Sequence, residues 1–311
     1  MPELPEVEVV RLFLEQKLLQ KNIKKIEVLN PKSFIGDVNL VLNQKIIKFS
    51  RIGKQLSLYL SNNLILLVHL KMTGQLIFYP SLHRPSETEG EGGSRGVSAG
   101  QGVLLGHPTK DALSQLPSKS TRLVFHFGLP SSKGVSAGQE VLYFNDQRKF
   151  GWIRLFNRKE LAKFQANLGL DIFDPLFSSQ YLFQQLQRSR RPVKAVLLDQ
   201  HFFAGIGNIY ANDSLFLAGI HPQIPSNKIT LKQAKSIHKY LIKIMKQSVL
   251  AGGSTAKDNK YIKPDNTFGK NQFFFRVYQR AGESCLKCAS KIEYFKLAGR
   301  GTFFCPSCQK I

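Results

Sequence analysis

All four cysteines of the chain fall in two knuckles. Cys285 and Cys288 have two residues between them, sixteen residues follow, and Cys305 and Cys308 repeat the short spacing. Two such knuckles can gather four thiolates around one tetrahedral zinc, and a closed thiolate set leaves no position for water. The metal implied is one structural Zn2+; the competing arrangements are two disulfides or four separate thiols. Between the knuckles lie Lys287, Lys291, Lys296 and Arg300 against a single acid, Glu293. That stretch reads as a small β-hairpin carrying cations toward a phosphate backbone.

The other end of the chain holds a second unusual pair. Proline after the initiator methionine permits methionine removal, which leaves Pro2 as a secondary amine with the Glu3 carboxylate beside it. Model α-amino groups titrate at about 7.7–8.0, so part of such an amine is unprotonated near neutral pH. It can attack a carbonyl-level carbon and form an iminium while a neighbouring carboxylate moves protons. By itself the dipeptide is an ordinary processed N-terminus; its context decides. Gly205-Ile206-Gly207 suggests a dinucleotide loop, but Tyr210 stands where the third glycine belongs and no strong strand precedes it. His201, His221 and His238 have no carboxylate or cysteine at ligand spacing and read as surface or core.

The elements that must carry these residues follow from composition and period. At 311 residues, 42% hydrophobic and 21% charged, the chain is too apolar for disorder and long enough for about two domains. Lys and Arg number 44 against 21 Asp and Glu, a net charge of +23. Such an excess calls for a polyanionic partner, the alternative being a merely soluble, self-repelling surface. The longest apolar run, Leu64 to Val68, is far below the ~18 residues of a membrane span, and no basic-then-apolar leader opens the chain. With cysteines confined to one local device, a reducing cytosol is the expected compartment.

Pro5 suits an early helical position, Val7, Val10, Leu14 and Leu18 recur at helical spacing, and Glu6 and Glu8 suit the helix's positive end. From Ile23 to Phe78 short β-branched and aromatic runs predict a mostly antiparallel β domain behind that helix. Residues 81–118 are rich in Gly, Ser, Glu and Pro and read as a flexible insertion. It contains Gly96 to Gln101, a hexapeptide repeated at Gly134 to Gln139, where it enlarges a hairpin turn. After Asn157 the period is helical: Tyr181 to Arg188, Val193 to Gln200, Ile209 to Ala218 and Thr230 to Val249. The last opens with a Thr230/Gln233 capping box, buries Leu231, Ala234, Ile237, Leu241 and Ile244, and ends at Gly252 and Gly253. The expected organisation is α+β: a catalytic domain over 1–157, a linker over 158–167, a helical domain over 168–280 and a zinc finger over 281–311.

Met1 to Glu8, Arg51-Ile52-Gly53-Lys54, His69 to Gly74, Asp146 to Gly151, Gly205 to Tyr210 and the four-cysteine finger occur in one order. In that order they resemble the formamidopyrimidine-DNA glycosylases. The resemblance implies an N-terminal antiparallel β-sandwich with flanking helices, then a helix-two-turn-helix domain with a β-hairpin zinc finger. It also implies removal of oxidised purines, chiefly 8-oxoguanine and formamidopyrimidines, from damaged double-stranded DNA, followed by abasic-site lyase cleavage. Pro2 would then be the nucleophile, Glu3 the general acid-base and Glu6 its support. Lys54 would assist β-elimination, its alternative being a solvated surface lysine. Arg300 would grip phosphate and assist the second elimination, its alternative being a phosphate contact alone.

A base inside a duplex must be flipped out and its place filled. Met72, Arg148 and Phe150 match the family's void-filling trio, an apolar wedge and a cation able to pair with the orphaned base. Asn208 and Lys194, with Arg188 and Arg190 nearby, match the phosphate-holding helix-two-turn-helix segment. One departure stands out: Lys119-Ser120-Thr121-Arg122 replaces the usual Lys-His-x-His, and strand alternation would put Ser120 and Arg122 on one face, so that Arg122 restores a cationic DNA contact. The alternatives are an endonuclease VIII-type enzyme for oxidised pyrimidines, against which Leu4-Pro5 and the Asp146 to Phe150 stretch argue, and a catalytically silent damage binder. The expected protein is a cytosolic, nucleoid-associated monomer.

Overall fold

The computed structural model describes residues 2–80, 103–106, 116–128, 140–253 and 271–311. In chain order the helices are α1 (Leu4–Leu18), α2 (Arg158–Gln165), α3 (Ser179–Gln187), α4 (Val193–Leu197), α5 (Asn208–Ala218) and α6 (Leu231–Leu250). The strands are β1 (Asn22–Val28), β2 (Phe34–Ile35), β3 (Ile46–Ile52), β4 (Gln55–Leu60), β5 (Ile65–His69), β6 (Gly74–Tyr79) and β7 (Val103–Gly106). They continue with β8 (Thr121–Gly128), β9 (Glu140–Asp146), β10 (Trp152–Phe156), β11 (Leu170–Asp171), β12 (Phe203–Ala204), β13 (Glu293–Leu297) and β14 (Arg300–Phe304). Among the described residues no helix is long and apolar enough to cross a membrane.

Two five-stranded sheets, ordered β1-β8-β9-β6-β7 and β2-β10-β5-β4-β3, form a sandwich. All pairings are antiparallel except the short β2–β10 contact. Phe49, Leu58, Leu66 and Val68 of one sheet meet Leu76, Phe125, Phe127 and Phe144 of the other. The buried stripe of α1, Val7, Val10, Leu14 and Leu18, joins this core as its spacing predicts. Leu4, one turn earlier, instead enters the core of the helical half with Val193, Val196, Ile206, Tyr210 and Leu241. The N-terminus is thus pinned between two cores.

Three expectations change. Within the stretch read as a flexible insertion, Val103–Gly106 is strand β7, paired with β6 and burying Leu105 completely. It is the one apolar run in a Gly/Ser-rich segment, and apolar burial outweighs the surrounding composition. The remainder of 81–115 and both hexapeptide copies lie outside the described residues. The expected linker contains α2, which opens with an Asn157/Glu160 capping box and buries only Leu161, against Ile65 and Leu67. In α6 the Thr230/Gln233 box holds, but the buried stripe is Ala234, Ile237, Leu241, Met245 and Ser248, while Leu231 and Ile244 are half-buried.

A third, small core of Phe216, Val277, Ile292, Cys285 and Cys305 joins the zinc finger to α5. Its approach is fixed by Asp213, whose buried carboxylate accepts the N–H groups of Arg276, Val277 and Tyr278, each at 3.0 Å. Asp213→Ala strands three N–H groups and is expected to lower the unfolding free energy in urea by about 2–4 kcal/mol; a loss under about 1 kcal/mol contradicts this role.

Candidate active site and nucleic-acid interface

Glu3 caps α1 and is 5% exposed. Its backbone N–H donates to Glu6 Oε2 at 2.9 Å, and its own Oε1 accepts from Ile209 N–H at 3.3 Å, in the first turn of α5. The carboxyl therefore sits at the positive end of that helix. A methyl group on Gly207 would overlap the Glu3 carboxyl, and one on Gly205, at φ +108°, would overlap the Leu4 side chain. Here is the use of the paired glycines: they let the N-terminus approach the α5 backbone. Burial raises the Glu3 carboxyl to about 7 against the opposing pull of the Lys54 ammonium. Among the described residues its Oε2 has no hydrogen-bond partner, which leaves that oxygen free to hold a proton. Buried Glu6 accepts from the Tyr210 hydroxyl at 3.0 Å, and Tyr210 meets Ser248 of α6 at 2.7 Å. Pro2, buried beside Glu3, completes the corner.

Lys54 reaches this corner from the β3–β4 turn. Its Nζ donates to Ile206 O at 2.9 Å, and burial, with Arg300 nearby, lowers its pKa while Glu3 opposes. The turn is held by residues that the sequence did not single out as a site. Arg51 donates to Glu8 Oε2 at 2.9 Å, to Gly53 O at 2.9 Å and to Asp171, which also accepts from Gly53 N at 2.6 Å. One guanidinium thus joins α1, the lysine turn and the helical half; the contact to Asp171 spans 120 residues, so no local spacing announces it. His69 was also missed: burial first, then Lys71 and Lys54, lower its pKa to about 3, so it stays neutral beside these cations.

Arg300 is exposed at the start of β14, and the turn next to it is tied to the helices. Gly301 O accepts from Lys194 Nζ at 2.7 Å and Asn208 Nδ2 at 3.0 Å, while Thr302 Oγ1 accepts from Lys194 at 2.8 Å. Phe303 N donates to Asn212 Oδ1 at 2.9 Å. Lys194 is 1% exposed, and burial pushes its pKa down to about 7. As placed, the buried Lys194 ammonium is directed to the hairpin, and half-buried Asn208 shares that carbonyl through one N–H of its amide, whereas Arg188 is exposed. The cysteine sulfurs lie within 4.8 Å of one another, with Cys288 at 3.5 Å from Cys305 and 3.4 Å from Cys308. Tetrahedral zinc with bonds of about 2.3 Å needs sulfurs about 3.8 Å apart, so the four residues fit that ion and two free disulfides are not formed.

Met72, Arg148 and Phe150 lie on two neighbouring loops held by fully buried Asp146. Its carboxylate accepts from the Thr73 hydroxyl, from Arg148 N at 3.2 Å and from Gly151 N at 2.6 Å. The Arg148 guanidinium lies 4.9 Å from the Phe150 ring centroid, and Phe150 is 54% exposed. The expected Arg122 contact is corrected: the β8–β9 register slips between Thr121 and Leu123, breaking the alternation. Arg122 is turned inward, 8% exposed, with Nε donating to Asp146 O at 2.8 Å, and Ser120 O accepts from Asp146 N at 2.8 Å. The two residues brace the loop anchor instead of forming one cationic face.

Gly207→Ala is expected to displace the Glu3 carboxyl and cut single-turnover base release about 100-fold while duplex binding persists; unchanged release contradicts the cradle. Cys305→Ala should release zinc and weaken duplex binding together, and an undiminished zinc content overturns the ligand set.

The family described as "Formamidopyrimidine-DNA glycosylase N-terminal domain" matches residues 1–153, its H2TH domain matches 168–260, and the "Zinc finger found in FPG and IleRS" matches 282–311. Formamidopyrimidine-DNA glycosylase of Mycoplasmopsis pulmonis is 35% identical over 100% of this chain and 98% of its own length. That of Trichodesmium erythraeum is 36% identical over 100% of both. The crystal structure of the MutM (Fpg) protein from Thermus thermophilus superposes with a TM-score of 0.78 at 30% identity, covering 99% of this chain and 98% of that one. Lactococcus lactis Fpg in complex with abasic-site DNA gives 0.78 at 28% identity over 100% of both chains. With this coverage, over the sandwich, the H2TH helices and the finger alike, the chain belongs to the formamidopyrimidine-DNA glycosylase family.

Proposed function

We propose that this base-excision glycosylase removes 8-oxoguanine and formamidopyrimidines from duplex DNA with Pro2 as nucleophile, and cuts the strand at the resulting site. The observation that carries the reading is the Glu3 carboxyl: directly after Pro2, buried at the N-terminus of α5 and raised to about 7. A carboxyl so poised can give a proton and take it back near neutral pH. The processed Pro2 nitrogen bonds to C1′ as the bond to the base breaks, with Glu3 giving the departing base a proton. The Glu3 carboxylate then takes the proton from the Pro2 nitrogen and passes it to O4′ as the C1′–O4′ bond opens, which leaves the Schiff base as an iminium. Lys54, its proton loosened by burial, assists loss of the 3′ phosphate, and Arg300 grips phosphate for the second elimination. Met72, Arg148 and Phe150 fill the vacated stack, with Asp146 fixing their loops. Zinc, when bound to the four cysteines, supplies only the rigidity of the hairpin that presents Arg300. The chain works as a catalytic unit over 1–157 and DNA-holding units over 168–280 and 281–311, in the cytosol on nucleoid DNA.

An 8-oxoguanine:cytosine duplex should lose its base and leave a gap with phosphate at both ends, faster than a duplex carrying an oxidised pyrimidine. Faster pyrimidine release overturns the lesion class, and binding without release overturns the reaction. Because Glu3 must be protonated and the Pro2 amine free, the single-turnover rate should pass through a maximum between about pH 7 and 8 and fall above it. A rate that climbs steadily to about pH 9, following only deprotonation of the Pro2 amine, contradicts the acid role.

A further inference from the structure

Outside the corner built on Glu3, one surface concentrates charge with nothing to balance it among the described residues. Lys232, Lys235, Lys239, Lys243 and Lys246 are all exposed on α6, at spacings of three and four residues, and so form one stripe. The helix has no acid. From Pro175 to Gly253 the chain has ten Lys and Arg but only Asp199 and Asp213 as acids. Asp213 is buried among backbone N–H groups, and Asp199 pairs with Arg191 at 2.7 Å. Among the described residues none of the five lysines makes an ion pair; Lys246 alone rims a cleft that also contains Glu8 and Asp174, and Glu8 is committed to Arg51 and Arg11.

Like charges three and four residues apart destabilise a helix, so this arrangement costs stability unless something outside the molecule neutralises it. The stripe lies opposite the face through which Ala234, Ile237, Leu241, Met245 and Ser248 meet the other helices. That inner face touches Tyr210 of α5. The lysines are therefore across the helix from the Glu3 corner and do not line it. From Lys232 to Lys246 the stripe runs about 21 Å, and the backbone of duplex DNA offers a phosphate every ~3.4 Å along each strand. A bilayer surface would need apolar side chains beside the cations. One flank of the stripe is Gln233, Ser236, Tyr240 and Gln247; on the other, Ile242 and Val249 are half-buried in the cleft with Ile172, Phe173 and Phe177, so the one strongly exposed apolar residue of α6 is Leu250, at its end.

We propose that the α6 lysine stripe is a second contact surface for duplex DNA, which captures a neighbouring duplex while the first is held at the hairpin and α5. The inference rests on the DNA-binding part of the functional reading but not on its chemistry. A protein that grips two duplexes passes directly from one to the other, so its search does not wait for complete dissociation.

The test uses the full-length, zinc-loaded protein preloaded on a labelled undamaged duplex, with stopped-flow release by increasing unlabelled duplex. Release should accelerate in proportion to competitor, and K235Q/K239Q/K243Q should make that dependence about tenfold shallower by removing phosphate contacts. Excision from a short 8-oxoguanine duplex by the same variant should match the parent. A release rate independent of competitor in the parent protein overturns the proposal, as does an equal slope in the variant. Loss of sedimentation with phosphatidylglycerol vesicles, with the competitor dependence intact, overturns it in favour of a membrane surface. Because undamaged DNA is used, failure of the Pro2 chemistry would show only in the excision arm.

Discussion

The contact of the Glu3 carboxyl with the backbone at Gly207 is the constraint around which the molecule is arranged. A carboxyl from the third residue has to be buried against the first turn of a helix formed more than two hundred residues later. Burying it without a full set of partners is unfavourable, so the fold surrounds it with compensation. Leu4 anchors the helical core on one side and Val7 anchors the sandwich on the other, while Gly205 and Gly207 remove the side chains that would hold the two halves apart. The stability of both cores is thereby coupled to the geometry of the N-terminal amine.

Charge follows from the same constraint. Lys54, Lys194 and Arg300 converge on the corner, and the lysines have lowered pKa values because burial, and then repulsion from Arg300, disfavour the charged forms against the pull of Glu3. A site crowded with cations awaits phosphates, and phosphate would supply the countercharge that the protein leaves out. Arg51 keeps this arrangement from flying apart: it is bound by two carboxylates, from Glu8 and Asp171, and ties the lysine turn to both halves of the molecule. On the finger, Gly301 O performs a similar service for Arg300 by accepting from Lys194 and Asn208 together.

Much of this was legible in the residues where the physics is local. The Thr230/Gln233 capping box, the apolar stripe of α1 and the cysteine knuckles each lie within one element or one hairpin, and each formed as spacing dictated. The Asp146 to Gly151 run was recognisable as a motif, but its anchor role was not, because that depends on Thr73 from another loop. Asp171 was invisible for the same reason, and His69 was read as part of a motif but not as a neutral group beside Lys54 and Lys71. Arg122 failed for a different one: a register slip in β8 turned the side chain inward, and alternation has no means of foreseeing a bulge. Strand β7 and helix α2 were hidden by composition; among the described side chains the one each buries is a leucine, Leu105 or Leu161.

In the proposed reaction the nitrogen of the processed N-terminal proline is the atom that takes hold of DNA. Incubation of the full-length protein with an 8-oxoguanine:cytosine duplex and borohydride, followed by peptide mass spectrometry, examines it most directly. The expected result is one reduced covalent adduct, on Pro2, in protein lacking Met1. An adduct on Lys54 or another lysine, or bound duplex with no adduct although Met1 is absent, would contradict it.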